Sequence, residues 1–147
     1  MELLKLLTPY QIINPPIASG STFYFKTDSG IHYEVRFGRK QNNILSTSIV
    51  FGVINDEFEG EEYSMTNRHE VFKVMSTIVH IVSRYKKRHP KIRCYEFTGE
   101  PTAIEQKLRK EGRIRLKLYN RYLSYVFDSS EWKIEKLENK TIVSKKT

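Results

Sequence analysis

The side chains that can carry chemistry are few and scattered. The four histidines are His32, His69, His80 and His89. His69 and His80 fall in one helical pattern, separated by roughly 16 Å at the helix rise, too far apart to share a metal. The segment HEVFK, residues 69–73, lacks the second histidine of the HExxH pattern, in which two imidazoles one turn apart hold zinc. GxSxG, CxxC and Walker patterns are absent from the chain. Cys94, the single cysteine, falls in the expected strand over 92–97 and reads as a buried inert thiol, with no identifiable basic partner to make a thiolate. Glu96 and Glu100 can be read as an acid–base pair, but two unrelated exposed glutamates are the plainer account. No catalytic set, metal site or cofactor is expected, and the chain reads as a non-enzyme.

Two concentrations of charge remain. Asp56, Glu57, Glu59, Glu61 and Glu62 crowd one short stretch. A solvated connection explains them most simply; a cation site or a docking surface for a basic partner is the sharper reading. Calcium in an EF-hand needs oxygens at alternate positions, a glycine at the sixth and a glutamate at the twelfth, and counting from Asp56 that pattern fails. The basic groups form two clusters. Arg84, Lys86, Lys87, Arg88, Lys91 and Arg93 surround one helix end, and Lys107, Arg109, Lys110, Arg113, Arg115, Lys117 and Arg121 run along the late part of the chain. Arg84, Lys87, Arg88, Arg113, Arg115, Lys117 and Arg121 are the candidate contacts to an acidic protein or a nucleic acid. Tyr85, Tyr119, Tyr122 and Tyr125 are interleaved with them and can stack on bases, although their helical spacing places Tyr85, Tyr119 and Tyr122 on apolar stripes, where core packing is the default.

These groups must be positioned by a small set of elements. Residues 66–98 are the organising unit. Val71, Phe72, Val74, Met75, Ile78, Val79, Ile81, Val82 and Tyr85 recur at steps of three, four and seven, which predicts an amphipathic helix. Lys73, Ser76, Thr77, His80, Arg84 and Lys87 make its polar face. Thr66 or Asn67 can cap its first turn, its basic end suits the negative pole of the helix dipole, and Pro90 stops it. Residues 92–97 follow as a strand. Upstream, 22–27 and 31–37 alternate apolar and polar residues around Asp28-Ser29-Gly30, which predicts a hairpin with Gly30 at positive φ. The stretch GRKQNN reads as a loop to a third strand over 44–54. Downstream, 102–127 reads as helix bent at Gly112, followed by a hairpin over 132–137 and 141–143.

The chain has 147 residues, 39% hydrophobic and 29% charged, with a net charge of +8. That is enough for one domain with a real core and fits neither disorder nor a membrane protein. The expected domain is 1–147, with 1–21 as a lead-in and 144–147 as a frayed tail. A lone cysteine fits a reducing compartment, and the start MELLKLL is too short an apolar run for a secretory signal. A cytoplasmic or virion location without membrane contact is expected. The positive charge permits an acidic partner or nucleic acid.

The order β-β-β-α-β-α-β-β, with the segment RLKLYNRYL at 115–123, resembles the core of the GNAT acyltransferase fold over residues 22–143. The resemblance implies an α+β domain with a mixed, mostly antiparallel sheet, and matches Tyr119 to a tyrosine that assists the leaving thiolate in some members. The family begins its central helix with a glycine-rich pyrophosphate loop; here the stretch is SMTNRHEVF, with no glycine, after five carboxylates and with Arg68 as the sole nearby compensation. A GNAT-like fold without acyl-CoA binding is therefore expected. TNRHEVFKVMSTIVHIV, a strand, then RIRLKLYNRYL also resembles small uncharacterised proteins of tailed bacteriophages, which implies a virion-associated accessory role. An interaction protein, with a protein partner or self-association, is the first expectation; nucleic-acid binding is the second and a divergent acyltransferase the third.

Overall fold

The computed structural model describes residues 8–16, 21–40, 43–53, 68–98, 119–137 and 140–146. They form an α+β fold: β1 (Thr22–Lys26), β2 (His32–Lys40), β3 (Asn43–Val53), α1 (Arg68–Arg88), β4 (Cys94–Thr98), β5 (Trp132–Lys136) and β6 (Lys140–Lys145). One mixed six-stranded sheet takes the order β1-β2-β3-β4-β6-β5. Only β3 and β4 pair in parallel; the other four pairings are antiparallel. A parallel pair needs a long crossover, and α1 lies within it.

The sheet buries one face because the alternation is in register from strand to strand. Phe23 lies opposite Val35, and Val35 opposite Phe51; Phe37 lies opposite Ile49, and Ile49 beside Phe97. All six are buried. A slip by one residue would turn every such row to the other face. Aromatic stacking reinforces the rows: Phe25 and Tyr33 stack with centroids 5.1 Å apart, and Tyr85 of α1 stacks on Phe37 at 3.9 Å. The β1–β2 turn forms as the sequence implies. Gly30 has φ 92°, and Thr27 Oγ1 accepts from Ile31 N at 3.0 Å, which satisfies a buried hydroxyl.

Several expectations change. β2 does not end at Phe37. It continues to Lys40, with a register shift between Arg39 and Lys40. Gly38 permits this: its carbonyl accepts from the hydroxyls of Thr47 and Ser48, and a Cβ there would meet Ser48 Oγ at 3.2 Å. The lead-in is partly structural, since Tyr10 is buried in the core and Ile13 bridges Tyr24 beyond the edge of β1. The tail is not frayed at Ser144 and Lys145, which belong to β6, and Lys146 N donates to Glu131 O at 2.8 Å. The late helix does not run to 127. A helical end at 119–120 gives way to turns and a 3-10 turn over Leu123–Tyr125, which brings Phe127 onto Tyr95 and Trp132. The expected helix over 102–118 and its bend at Gly112 lie outside the described residues.

The helix differs from the expected stripe on both faces. Ser76 and Thr77 are fully buried and Phe72 is exposed. The 8–16 segment covers a side of α1 that the sheet does not, and Tyr10 N donates to Thr77 Oγ1 at 3.0 Å. Thr77 donates in turn to Lys73 O at 2.7 Å, so its burial leaves no hydroxyl unsatisfied.

Candidate functional site

Three separate segments converge at one end of the sheet. The direction of α1 fixes which end. Near its start, Lys73 lies over the Tyr10 ring, which stacks on Phe25, close to the level where Tyr33 faces Val53 at the end of β3. Near its close, Lys86 lies over Phe127 and Trp132, with its ammonium 5.5 Å from the Trp132 centroid. The helix thus runs from the carboxyl end of β3 to the amino end of β4. Lys86, Lys87 and Arg88 occupy its last turn. Arg93 stands at the entry to β4, where its carbonyl accepts from Lys145 N at 2.8 Å, so β6 delivers Lys145 and Lys146 to the same place. Lys91 lies in the connection between α1 and β4.

The result is a basic pole. Lys87, Arg88, Lys91, Arg93, Lys145 and Lys146 are all exposed. None of them is ion-paired with a described residue. The described carboxylates at this end are Asp128 and Glu131, on the turn that leads into β5. The backbone N–H and hydroxyl of Ser130 hold the Asp128 carboxyl below its ordinary range. Trp132 anchors the pole from beneath. It is buried, and the ammonium groups of Lys86 and Lys145 each lie within cation–π reach of its ring. The β6 lysines were absent from the sequence-based clusters. A strand pairing joined them to the helix end, and linear spacing carries no signal of it.

The other expected basic residues divide. Arg84 is half-buried, and its Nη1 donates to Asn14 Oδ1 at 2.7 Å, so it braces the 8–16 segment. Arg121 is exposed on the turn after Tyr119, and no described contact joins it to the pole. Arg113, Arg115 and Lys117 lie outside the described residues, as do Asp56, Glu57, Glu59, Glu61, Glu62 and Glu100. The tyrosines form no stacking platform: Tyr85, Tyr119 and Tyr122 are core residues, and Tyr125 is half-buried against it.

The remaining reactive side chains are occupied or isolated. His80 Nδ1 donates to Ser76 O, and His89 Nδ1 to Tyr85 O. Among the described residues, no three of His, Cys, Asp and Glu gather in a metal-holding group. Glu96 pairs with Lys140 at 3.3 Å. Cys94 is half-buried, where the sequence suggested full burial. It lies beside Ser46 and Ser144 on the face opposite the core, because its parity in β4 is opposite to that of Tyr95.

Tyr119 occupies a distinct position. Its ring packs against Phe51 and Phe97, across the parallel pair. The β3–β4 ladder stops at Ile49 and Phe97, although β3 continues to Val53. The phenol is fully buried and has no hydrogen-bond partner among the described residues. Burial pushes its ionisation far above the ordinary value, so it is a neutral phenol at any physiological pH.

No family model, curated protein or solved structure matches this chain. Among the described residues, no helix is long and apolar enough to cross a membrane.

Proposed function

We propose that the protein is a non-enzymatic interaction protein whose working surface is the basic pole, and that this pole docks an acidic protein surface. The observation that carries the reading is the convergence of cations from α1, the entry to β4 and the end of β6, none of them ion-paired with a described residue. Gathering like charges costs energy unless something external compensates them. A virion accessory subunit, which the resemblance to tailed-phage proteins implies, is one setting for such a surface. Nucleic acid is the competing occupant. The burial of Tyr85, Tyr119 and Tyr122 withdraws these three rings from the base stacking that single-strand binders use.

The test is fluorescence anisotropy with labelled polyglutamate, beside labelled single- and double-stranded oligonucleotides. Wild type is expected to bind polyglutamate, and Lys87→Glu/Arg88→Glu/Lys91→Glu/Arg93→Glu to lose at least tenfold in affinity. Submicromolar oligonucleotide binding at physiological salt, with a salt slope that tracks the phosphates neutralised, would transfer the pole to nucleic acid. Failure of wild type to hold polyglutamate at low salt would remove the reading altogether.

A divergent acyltransferase is the second reading. What supports it is the place of Tyr119 beside the end of the β3–β4 ladder, since open α/β sheets bind ligands at the carboxyl ends of their strands. Against it stand the carboxylates that precede α1 and the absence of glycine there, which disfavour a pyrophosphate at the helix start. Tyr119→Phe separates the two. As a core residue, Tyr119 loses only a hydroxyl that has no partner among the described residues, and stability at pH 7 should hold or rise. The phenol's raised ionisation makes its stabilising contribution complete below about pH 10 and lost as pH rises further, so the variant should lose less stability than wild type on the alkaline limb. Acetyl-CoA should shift the melting temperature of neither protein. A saturable shift in wild type, near the roughly 2.7 kcal/mol expected at 100 times the dissociation constant, would restore the enzyme.

A further inference from the structure

We infer that the occupant of the basic pole is the acidic stretch 56–62 of a second copy of this chain, docked head to tail. The inference rests on the reading of the pole as a protein-docking surface and adds the identity of the partner. Two observations carry it. The chain's densest run of carboxylates, Asp56 to Glu62, is chemically complementary to the pole. Its anchors are also at the opposite end of the molecule: it departs from the carboxyl end of β3 at Val53 and returns at the start of α1 at Arg68, whereas the pole lies at the far end of that helix.

A 21-residue helix spans roughly 30 Å, so the anchors of the stretch and the pole stand at opposite ends of each copy, and a second copy is placed to present its stretch to the pole. Opposite ends that attract make a heterologous contact, which propagates into chains or closes into a ring.

Net charge opposes this at long range, because each copy carries +8. At about 0.1 M salt the Debye length is roughly 10 Å. Repulsion between whole molecules is then screened, while contact between stretch and pole persists. Assembly is expected to pass through a maximum near that salt and to vanish near 1 M.

Sedimentation velocity at about 0.1 M salt tests it. Wild type should show a weight-average sedimentation coefficient that rises with concentration. Glu57→Lys/Glu59→Lys/Glu61→Lys/Glu62→Lys and Lys87→Glu/Arg88→Glu/Lys91→Glu/Arg93→Glu should each be monomeric, since each sets like charges face to face. An equimolar mixture of the two should assemble again, because the altered stretch of one complements the altered pole of the other. Should either reversal fail to fold by circular dichroism, the neutral variants Glu57→Gln/Glu59→Gln/Glu61→Gln/Glu62→Gln and Lys87→Gln/Arg88→Gln/Lys91→Gln take its place, each expected to weaken association at least tenfold. A wild type that stays monomeric at every concentration and salt would overturn the inference, as would association that survives loss of the pole or of the stretch. If wild type is monomeric yet holds polyglutamate through the pole, the docking surface stands and only this partner is excluded.

Discussion

Phe97→Ala should cost about 3–5 kcal/mol, the usual range for an aromatic ring removed from a core. Phe97 is fully buried in β4. It pairs with Ile49 of β3 and Thr141 of β6, and its ring lies 5.0 Å from Tyr119 and 6.1 Å from Phe127. It is therefore where the two halves of the sheet and the 119–127 segment meet, so no single neighbour can move in to fill the space. Domains are stable by only about 5–15 kcal/mol, so this change removes a large share. Urea unfolding followed by Trp132 fluorescence gives the measurement, since this single tryptophan belongs to the same ring cluster through Phe127. A loss below about 1 kcal/mol would mean that the rings are not packed as described.

Ile78→Ala should cost about 2–5 kcal/mol. Ile78 is fully buried midway along α1, among Met75, Ile81 and Val82, which are equally enclosed. Because α1 is covered by the 8–16 segment as well as by the sheet, the helix cannot tilt to close the cavity without pulling Tyr10 from Thr77. Native-state hydrogen exchange provides the companion measurement. The central amides of α1 should open only with the whole domain, and rapid exchange across 74–82 in wild type would contradict the packing.

Ile78 was legible in the sequence for a plain physical reason, whereas Phe97 was placed in a strand without its buried face being assigned. A helix and a strand declare their buried faces through periods of 3.6 and 2, so Met75, Ile78 and Val82, and likewise Phe23, Phe25, Tyr33 and Val35, can be assigned without knowing what covers them. Gly30 was legible in the same local way, since positive φ is cheap only for a residue without Cβ. The errors arose where a distant segment set the outcome. Ser76 and Thr77 read as polar-face residues because the chain gives no sign that residues 8–16 lie against them. Tyr119 to Phe127 continued a helical spacing, yet the chain leaves the helix there to place Phe127 against Tyr95 and Trp132. Packing outweighs propensities worth tenths of a kcal/mol per residue.

The sequence by itself determined the α+β class, the strands and central helix, most of the core, and the existence of an acidic run and a basic helix end. The tertiary structure decided which charges act together. Lys145 and Lys146 lie more than fifty residues from Arg88 and Arg93 in sequence, and they reach the same pole because β6 runs antiparallel to β4. Arg84, adjacent to the cluster in sequence, is drawn away by Asn14. Charge interacts through space at distances of a few ångströms, and only the folded chain sets those distances.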